Sequence, residues 1–510
     1  MEGERSSMRK ALARVQESPY APVLAAVPLA ILGRRSGGRR SRSLRTEASS
    51  LLLRSLGLVY VIAFTSLRVQ RQGLYGGRGI APVRLRVHPH LCVAGQVCGA
   101  ALTAGVVPKV AAWAAWAVHV SLVRVGSPFL DFQWDALLNE AGLLGALAAP
   151  NRWRLTRRWS MGRLPRWLFR FLAFRLHFES GLAKLQSRDV AWRRCVACAL
   201  HYETQPLPTP LAYHARRLPL RLHRLATASV LLLETLVPWL ILGPKRLRRL
   251  AFILLEGLQA AIALTGNFAY FNLLTAAVTL SLFEPTDSRP PTRRRVGSRR
   301  RVRLSKLGRV GSAAEMLLAG LIGMVAVADL ADRVLPGRLR WKPIRWLRAR
   351  AVNLRTVSSY GLFAHMTRTR PEIVIEGSDD GHQWKAYELP YKPGDPLQPP
   401  RWVAPHQPRL DWQLWFAALS PFPPLWFHDL LWRLLEGSPA VLELFARNPF
   451  PERPPRYVRA LLYNYRMSDV ATRRRTGQWW QRDLLGLYFP PSRLADRSDA
   501  RATEAQPWLS

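Results

Sequence analysis

Long apolar runs recur along this chain between arginine-dense loops, and that alternation constrains its fold more than any other feature. The runs fall at about residues 51–67, 91–107, 110–125, 134–149, 167–185, 225–242, 250–265, 268–283 and 312–330. The first, LLLRSLGLVYVIAFTSL, covers roughly 26 Å at about 1.5 Å per residue, near the lower limit for a bilayer's hydrocarbon core. Arg54 sits close to its start, where a long side chain can reach the interface. Several runs are short or carry ionisable groups, so the expectation is seven to nine spans. Unpaired backbone groups are costly in lipid and the sequence lacks barrel-like alternation, so these spans must be helices.

A mean hydropathy of −0.04 hides this pattern, because greasy runs and basic loops average out. The 510 residues include 75 Lys and Arg against 33 Asp and Glu, a formal net charge of +42. Such a balance suits either nucleic acid or the loops of a membrane protein facing anionic headgroups. Spanning-length runs separate the basic stretches, and no nucleic-acid module is present. The lipid bilayer is the expected partner, and nucleic acid is not.

Residues 1–50 read as a basic, poorly ordered cytosolic leader, 51–284 as the polytopic membrane domain and 285–311 as a basic linker. That linker holds ten Lys or Arg and a lone Asp287, so the positive-inside rule makes it cytoplasmic. If residues 312–335 then cross once as the last transmembrane helix, everything beyond lies outside the cytosol. The texture changes from Asn353. Ile373-Val374-Ile375-Glu376, a Gly377–Gly381 turn cluster and Trp384–Leu389 predict a hairpin. Helices are expected over 426–435 and from Ser438-Pro439 to Phe445, and a strand over 457–463. The expected fold is thus an α-helical multi-pass membrane bundle followed by a soluble, β-sandwich-like domain with short helices over 353–491. Residues 492–510 read as a disordered tail.

The densest polar cluster is His201-Tyr202-Glu203-Thr204-Gln205, followed by Pro206, Pro208 and Pro210. The prolines demand an extended path. His201 and Glu203 could act as an acid–base pair, or could cap helix ends and bond irregular backbone. A second set reads as lying inside the apolar runs: Asp131, Asp135, Asn139, Glu140, Glu179, Glu234, Glu256, Asn267 and Asn272, with Asp131, Asp135 and Asn139 spaced four apart as on one helix face. A charge near a bilayer centre costs roughly 2.5–3.5 kcal/mol, so these groups need partners. Arg170, Arg175 and Lys184 are the available counter-charges, and a polar network that fixes helix register is expected. Gly266-Asn267 reads as a tight turn, and Gly76-Gly77-Arg78-Gly79 as a flexible loop, lacking the GK[ST] ending of a phosphate cradle. Cys195 and Cys198 have redox or zinc spacing but no completing ligands. No catalytic motif, metal site or cofactor site is expected. In the C-terminal part, Arg368, Arg370, Trp384, Trp412, Trp479 and Trp480 form a candidate recognition surface, since Trp and Arg dominate binding hot spots.

The segments FRFLAFRLHFESGLAKLQSRDVAW, HYETQPLPTP and TGNFAYFNLLT resemble the lipase maturation factors. So do MTRTRPEIVIEGSDDGHQWKAYELPYKPG, WVAPHQPRLDWQLWFAAL, NPFPERPPRYVRALLYNYRMSD and RTGQWWQRDLLGLYFPP, and the likeness runs in order from about Leu51 to Pro491. The arginine-heavy linker and the Cys195–Cys198 pair fall outside it. The resemblance implies a multi-pass protein of the endoplasmic reticulum membrane, or of the plasma membrane in a prokaryote. It would help secreted lipases, or another exported client, fold and assemble into active dimers from the lumenal side. No catalytic residues come with it, and Lys184, His201–Gln205, Gly266, Asn267 and Asn272 become candidates for structure or client contact. The competing expectation is a membrane-embedded enzyme, acting on a lipid-like or protein substrate through the buried acids and His201/Glu203.

Overall fold

The computed structural model describes residues 43–83, 89–156, 159–283, 306–337, 342–353 and 355–495. Every one of the nine apolar runs is helical. They form α1 (Ser43–Tyr75), α2 (Pro89–Ala104), α3 (Pro108–Val125), α4 (Gln133–Ala148) and α5 (Arg163–Gln186). Three short helices follow, α6 (Val190–Arg193), α7 (Ala197–Thr204) and α8 (Pro210–Ala215). Then come α9 (Leu220–Thr235), extended by 3-10 turns over Val237–Leu242, α10 (Lys245–Thr265) and α11 (Phe271–Thr279). The region closes with α12 (Lys306–Val334) and the amphipathic α13 (Lys342–Asn353).

Among the described residues, three helices are both long and apolar enough to cross a membrane: Glu47–Tyr75, Leu220–Leu242 and Ala313–Val334. The others fall short for a physical reason. α4 is short and almost entirely buried, and α5 carries buried Arg175, Glu179 and Lys184. Helices enclosed by other helices meet side chains rather than lipid, so they tolerate paired charge. Close backbone approach joins α1 to α2. A Cβ on Gly57 would lie 2.6 Å from the Thr103 nitrogen, and one on Gly99 2.9 Å from the Gly57 oxygen, the small-residue contact typical of membrane helices.

The C-terminal region contains β1 (Arg370–Ser378), β2 (Lys385–Ala386), α14 (Arg409–Ala418), α15 (Leu425–Leu435), α16 (Pro439–Leu442), β3 (Tyr457–Met467), α17 (Val470–Thr476) and β4 (Trp480–Ser492). The β1–β2 turn forms because Asp380 accepts from the His382 and Gln383 amides, both at 2.8 Å. The strands form one antiparallel sheet in the order β2-β1-β3-β4, with Ile373 opposite Leu462 and Met467 opposite Trp480. The expected sandwich is replaced by this single sheet, because α14 packs on β1 and α15 on β3. Two amphipathic helices bury the apolar face as well as a second sheet would.

The expected leader, linker and tail lie largely outside the described residues. Where they enter them, the chain is already helical at 43–50 and 306–311, and at 492–495 Ser492 still belongs to β4 before a turn. Nor is the C-terminal region a detached unit. One continuous hydrophobic core runs from Leu56 and Trp134 in the bundle through Trp412 and Phe427 to Val458 in the sheet.

Candidate functional site: the joint between bundle and sheet

The His201–Pro210 segment forms a joint between the two regions. α7 ends at Thr204, and Pro206 and Pro208 hold the chain extended along the α10–α11 corner, while Pro210, expected to extend the path, instead opens α8 behind the Thr209 cap. There Pro208 bridges antiparallel to Gly266, and the Asn267 amide donates to the Leu207 oxygen at 3.1 Å. An extended buried backbone leaves its carbonyls in need of donors. Arg370, the first residue of β1, supplies them. Its guanidinium donates to the oxygens of Glu203 at 2.7 Å, of Gln205, and of Pro206 at 2.8 Å. The same group pairs with Glu372 at 2.8 Å, which also binds the Lys392 ammonium at 3.0 Å.

Glu203, Thr204 and Gln205 each have a partner of this kind, whereas His201 and Tyr202 make ring contacts. The Glu203 carboxylate accepts from the Met467 amide at 2.7 Å and from Arg216 at 3.0 Å. The Trp415 indole donates to the Thr204 oxygen at 3.1 Å, and the Gln205 amide to the Thr265 oxygen at 2.8 Å. Asn267 is saturated. Its Oδ1 accepts from the amides of Val403 and Ala404, and its Nδ2 donates to the oxygens of Leu207 and Arg401.

A second set of contacts ties α1 and α4 to the segment before α14. Arg409 grips Asp135 through both terminal nitrogens, at 2.9 and 3.0 Å, and donates to the Phe129 oxygen at 2.6 Å. Tyr270 donates to the same carboxylate at 2.6 Å. Ser66 lies 3.0 Å from His406 Nδ1 and accepts from the Gln407 amide at 2.9 Å, while Gln70 accepts from the Arg409 amide at 2.8 Å. Burial, aided by the Arg409 charge, pushes the His406 imidazole down to about 4. Burial also lifts the Asp411 carboxyl to about 6, although the Tyr391 and Lys392 amides donate to it.

A third set draws in the chain after α13. Arg175 pairs with Glu140 at 2.7 Å and Glu179 at 3.0 Å. Those carboxylates in turn accept from the Tyr360 hydroxyl and the Tyr360 amide, both at 2.8 Å. The remaining polar groups pair locally: Lys184 with Glu234 at 2.6 Å, Asn139 with His119 at 2.6 Å, Glu256 with Thr279 at 2.6 Å and Asn272 with Gln259 at 2.9 Å.

The region carrying these helices matches the lipase maturation factor transmembrane domain over residues 47–91 and 86–289. Residues 356–490 match the lipase maturation factor C-terminal domain. Human lipase maturation factor 2 is 33% identical, over 88% of this chain and 82% of its own length. The chain belongs to the lipase maturation factor family. Mouse lipase maturation factor 1 is 29% identical over 90% of this chain, and the bovine protein of that name 31% over 86%, with 89% and 88% of their own lengths covered. No solved structure matches.

In this lipase maturation factor family member, three residues expected on the surface are buried. Arg370, Trp412 and Trp480 are 1%, 2% and 1% exposed. Trp412 stacks edge-on against Trp134 of α4 with centroids 4.8 Å apart, and Arg370 lies over the Trp480 ring. They fill the joint, where large rings and a forked cation are what an irregular interface needs. Arg368 stays at the surface, paired with Asp189 at 3.3 Å. Trp384 packs under Arg459, and Trp479 between Arg473 and Tyr213. His201 and Glu203 are not brought together, since Glu203 is held by Arg216 and Met467 while the His201 ring packs among Phe268 and Phe363. Gly266-Asn267 forms the buried corner between α10 and α11, and the Gly76–Gly79 loop is capped by Arg433 and Ser438. Asp131 precedes α4 and pairs with Arg355 in place of a helix cation.

The residues overlooked in the sequence are Arg409, Tyr270, Ser66 and Gln70. Asp135 signals the need for a cation, but its cation lies 274 positions later in the C-terminal region, where no helix pattern of the bundle points to it. Also overlooked was β4, the outer strand of the sheet. Leu484, Leu485 and Leu487 on it are exposed, and so are Phe422 and Leu425 nearby. Among the described residues no strand pairs with the outer edge of β4, and such an edge beside apolar side chains offers backbone pairing together with hydrophobic contact.

Proposed function

We propose that this protein is a membrane-anchored, chaperone-like maturation factor for secreted lipases, working without catalysis from the lumenal face of the endoplasmic reticulum membrane. The observation that carries the reading is the open β4 edge with its exposed leucines, held rigidly on the bundle by a buried polar joint. Such a surface suits partly folded chains that still present unpaired strands. The family names of the relatives supply the client class.

Topology supports it. α1 meets the C-terminal region through Ser66 and Gln70 near its end, whereas Arg54 near its start donates to the Thr103 and Leu155 oxygens. The connections on the Arg54 side are basic, with Arg152, Arg154, Lys245, Arg246, Arg248 and Arg249, and the 285–311 stretch of the sequence carries ten more Lys or Arg. By the positive-inside rule that side is cytosolic and the sheet lies across the membrane.

The test is a triple substitution, Leu484→Lys, Leu485→Lys and Leu487→Lys, in cells that secrete a lipase. Secreted lipase activity should fall severalfold while lipase synthesis and the abundance of the factor stay unchanged. Undiminished activity would remove β4 as the client surface.

A further inference from the structure

Between α5, α9 and α10 lies a cavity of about 450 Å³, within the roughly 300–1,000 Å³ typical of small-molecule sites. Its lining is overwhelmingly apolar, closed on one side by α7 and by Phe363. It opens between α9 and α10, with the exposed Ile253 at the rim. The outer faces of these two helices expose Leu225, Leu232, Leu236 and Leu264, so the mouth faces hydrocarbon if the bundle sits in a bilayer as proposed above. Gly257 lines the cavity, and a Cβ there would meet nothing within 4 Å.

Three polar groups on one face of α5 define the inner end: His177, Ser180 and Lys184, spaced at i, i+3 and i+7. Lys184 is already engaged, with Glu234 at 2.6 Å, the Ser180 oxygen at 3.2 Å and the Trp192 ring beneath it. It therefore offers no spare charge to a phosphate or carboxylate. His177 differs. Its Nδ1 lies 2.8 Å from the Ala173 oxygen, and a carbonyl can only accept, so Nδ1 carries the proton. In the neutral ring Nε2 is then a lone-pair acceptor, and it is buried without a hydrogen-bond partner. A buried acceptor in that state awaits a donor.

We propose that this cavity binds a neutral, hydroxyl-bearing acyl lipid of the monoacylglycerol type. The acyl chain fills the gap between α9 and α10, and a headgroup hydroxyl donates to His177 Nε2. An apolar tunnel suits the chain, a lone pair suits an alcohol, and the neutralised lysine disfavours anionic lipids. No bond is made or broken.

The full-length protein in phosphatidylcholine nanodiscs tests this with a photoactivatable monoacylglycerol bearing a diazirine on its chain. Labelling should saturate, map to α9 and α10, and be displaced by unlabelled monoacylglycerol but not by the analogue whose hydroxyls are methylated. Gly257→Phe, which fills the cavity, should cut labelling by about tenfold or more. His177→Phe should leave acyl labelling but erase the preference for the free hydroxyl. Equal displacement by the methylated analogue, or labelling that matches a photoactivatable phosphatidylcholine, would overturn the proposal and leave bulk lipid contact only. The displacement comparison uses the unaltered chain, so it decides the matter even if a variant fails to assemble. Binding is read directly, so a negative result leaves the lipase reading intact.

Discussion

Arg409 illustrates what a single side chain must do at this joint. Its guanidinium neutralises Asp135 and caps the Phe129 carbonyl inside a fully buried pocket. Removing one member of such a pair strands the other, a loss of about 3–5 kcal/mol, whereas replacing both by apolar groups is often nearly neutral. Arg409→Met alone should therefore lower the thermal midpoint of the purified protein sharply. Adding Asp135→Leu should recover much of the loss, measured by tryptophan fluorescence in detergent. Two neighbours make a complementary pH test. Asp411, raised to about 6, binds its proton more tightly when folded, so its contribution to stability grows as the pH falls from about 6 towards its ordinary value. His406, lowered to about 4, resists protonation when folded, so its contribution is lost as the pH falls from its ordinary value towards 4. The two slopes oppose each other over nearly the same window. On acidification from pH 7 to 4.5, His406→Gln should lose less stability than the parent and Asp411→Asn more. Parallel melting curves for the two variants would refute the assignment.

Among the elements, β1 and the 203–207 segment, where α7 gives way to extended chain, depend on each other. Arg370 serves three carbonyls with one planar fork, and a lysine at that position cannot reach them all. Each buried carbonyl left without a donor costs about 1–3 kcal/mol. Arg370→Lys should thus speed proteolysis of the C-terminal region while leaving membrane insertion of the helices unchanged, which limited digestion and carbonate extraction would check. Elements were legible in the sequence where local pattern sufficed. All nine apolar runs are helices, and β1 and β3 lie where alternation and turn residues put them, while the second strand of the hairpin shrinks from the expected 384–389 to Lys385–Ala386. α14 was hidden because Pro405 and Pro408 precede it and the stretch reads as coil. β4 was hidden because Gly486, Pro490 and Pro491 interrupt it, residues a strand tolerates at a sheet edge. The surface reading of Arg370, Trp412 and Trp480 failed for a different reason. Residue type alone does not separate a hot spot for a partner from a hot spot for another part of the same chain.

At the scale of the molecule, the sheet is braced against the membrane bundle by three polar clusters and one shared core. The proposed orientation predicts that a C-terminal tag resists protease in sealed microsomes and that a glycosylation acceptor placed there is modified. A tag cleaved without detergent would overturn the orientation and with it the client reading. The distances in sequence between partners carry one more consequence. Ser66 is completed by Gln407, 341 positions later, and Asp135 by Arg409, 274 positions later. While the ribosome is still translating, the early helices sit in the membrane with a carboxylate that lacks its cation and a serine hydroxyl that lacks its partner. A nonsense codon anywhere before Arg409 therefore yields an incomplete anchor as well as a missing sheet, and quality control should destroy the truncated product instead of letting it persist as an inert stub.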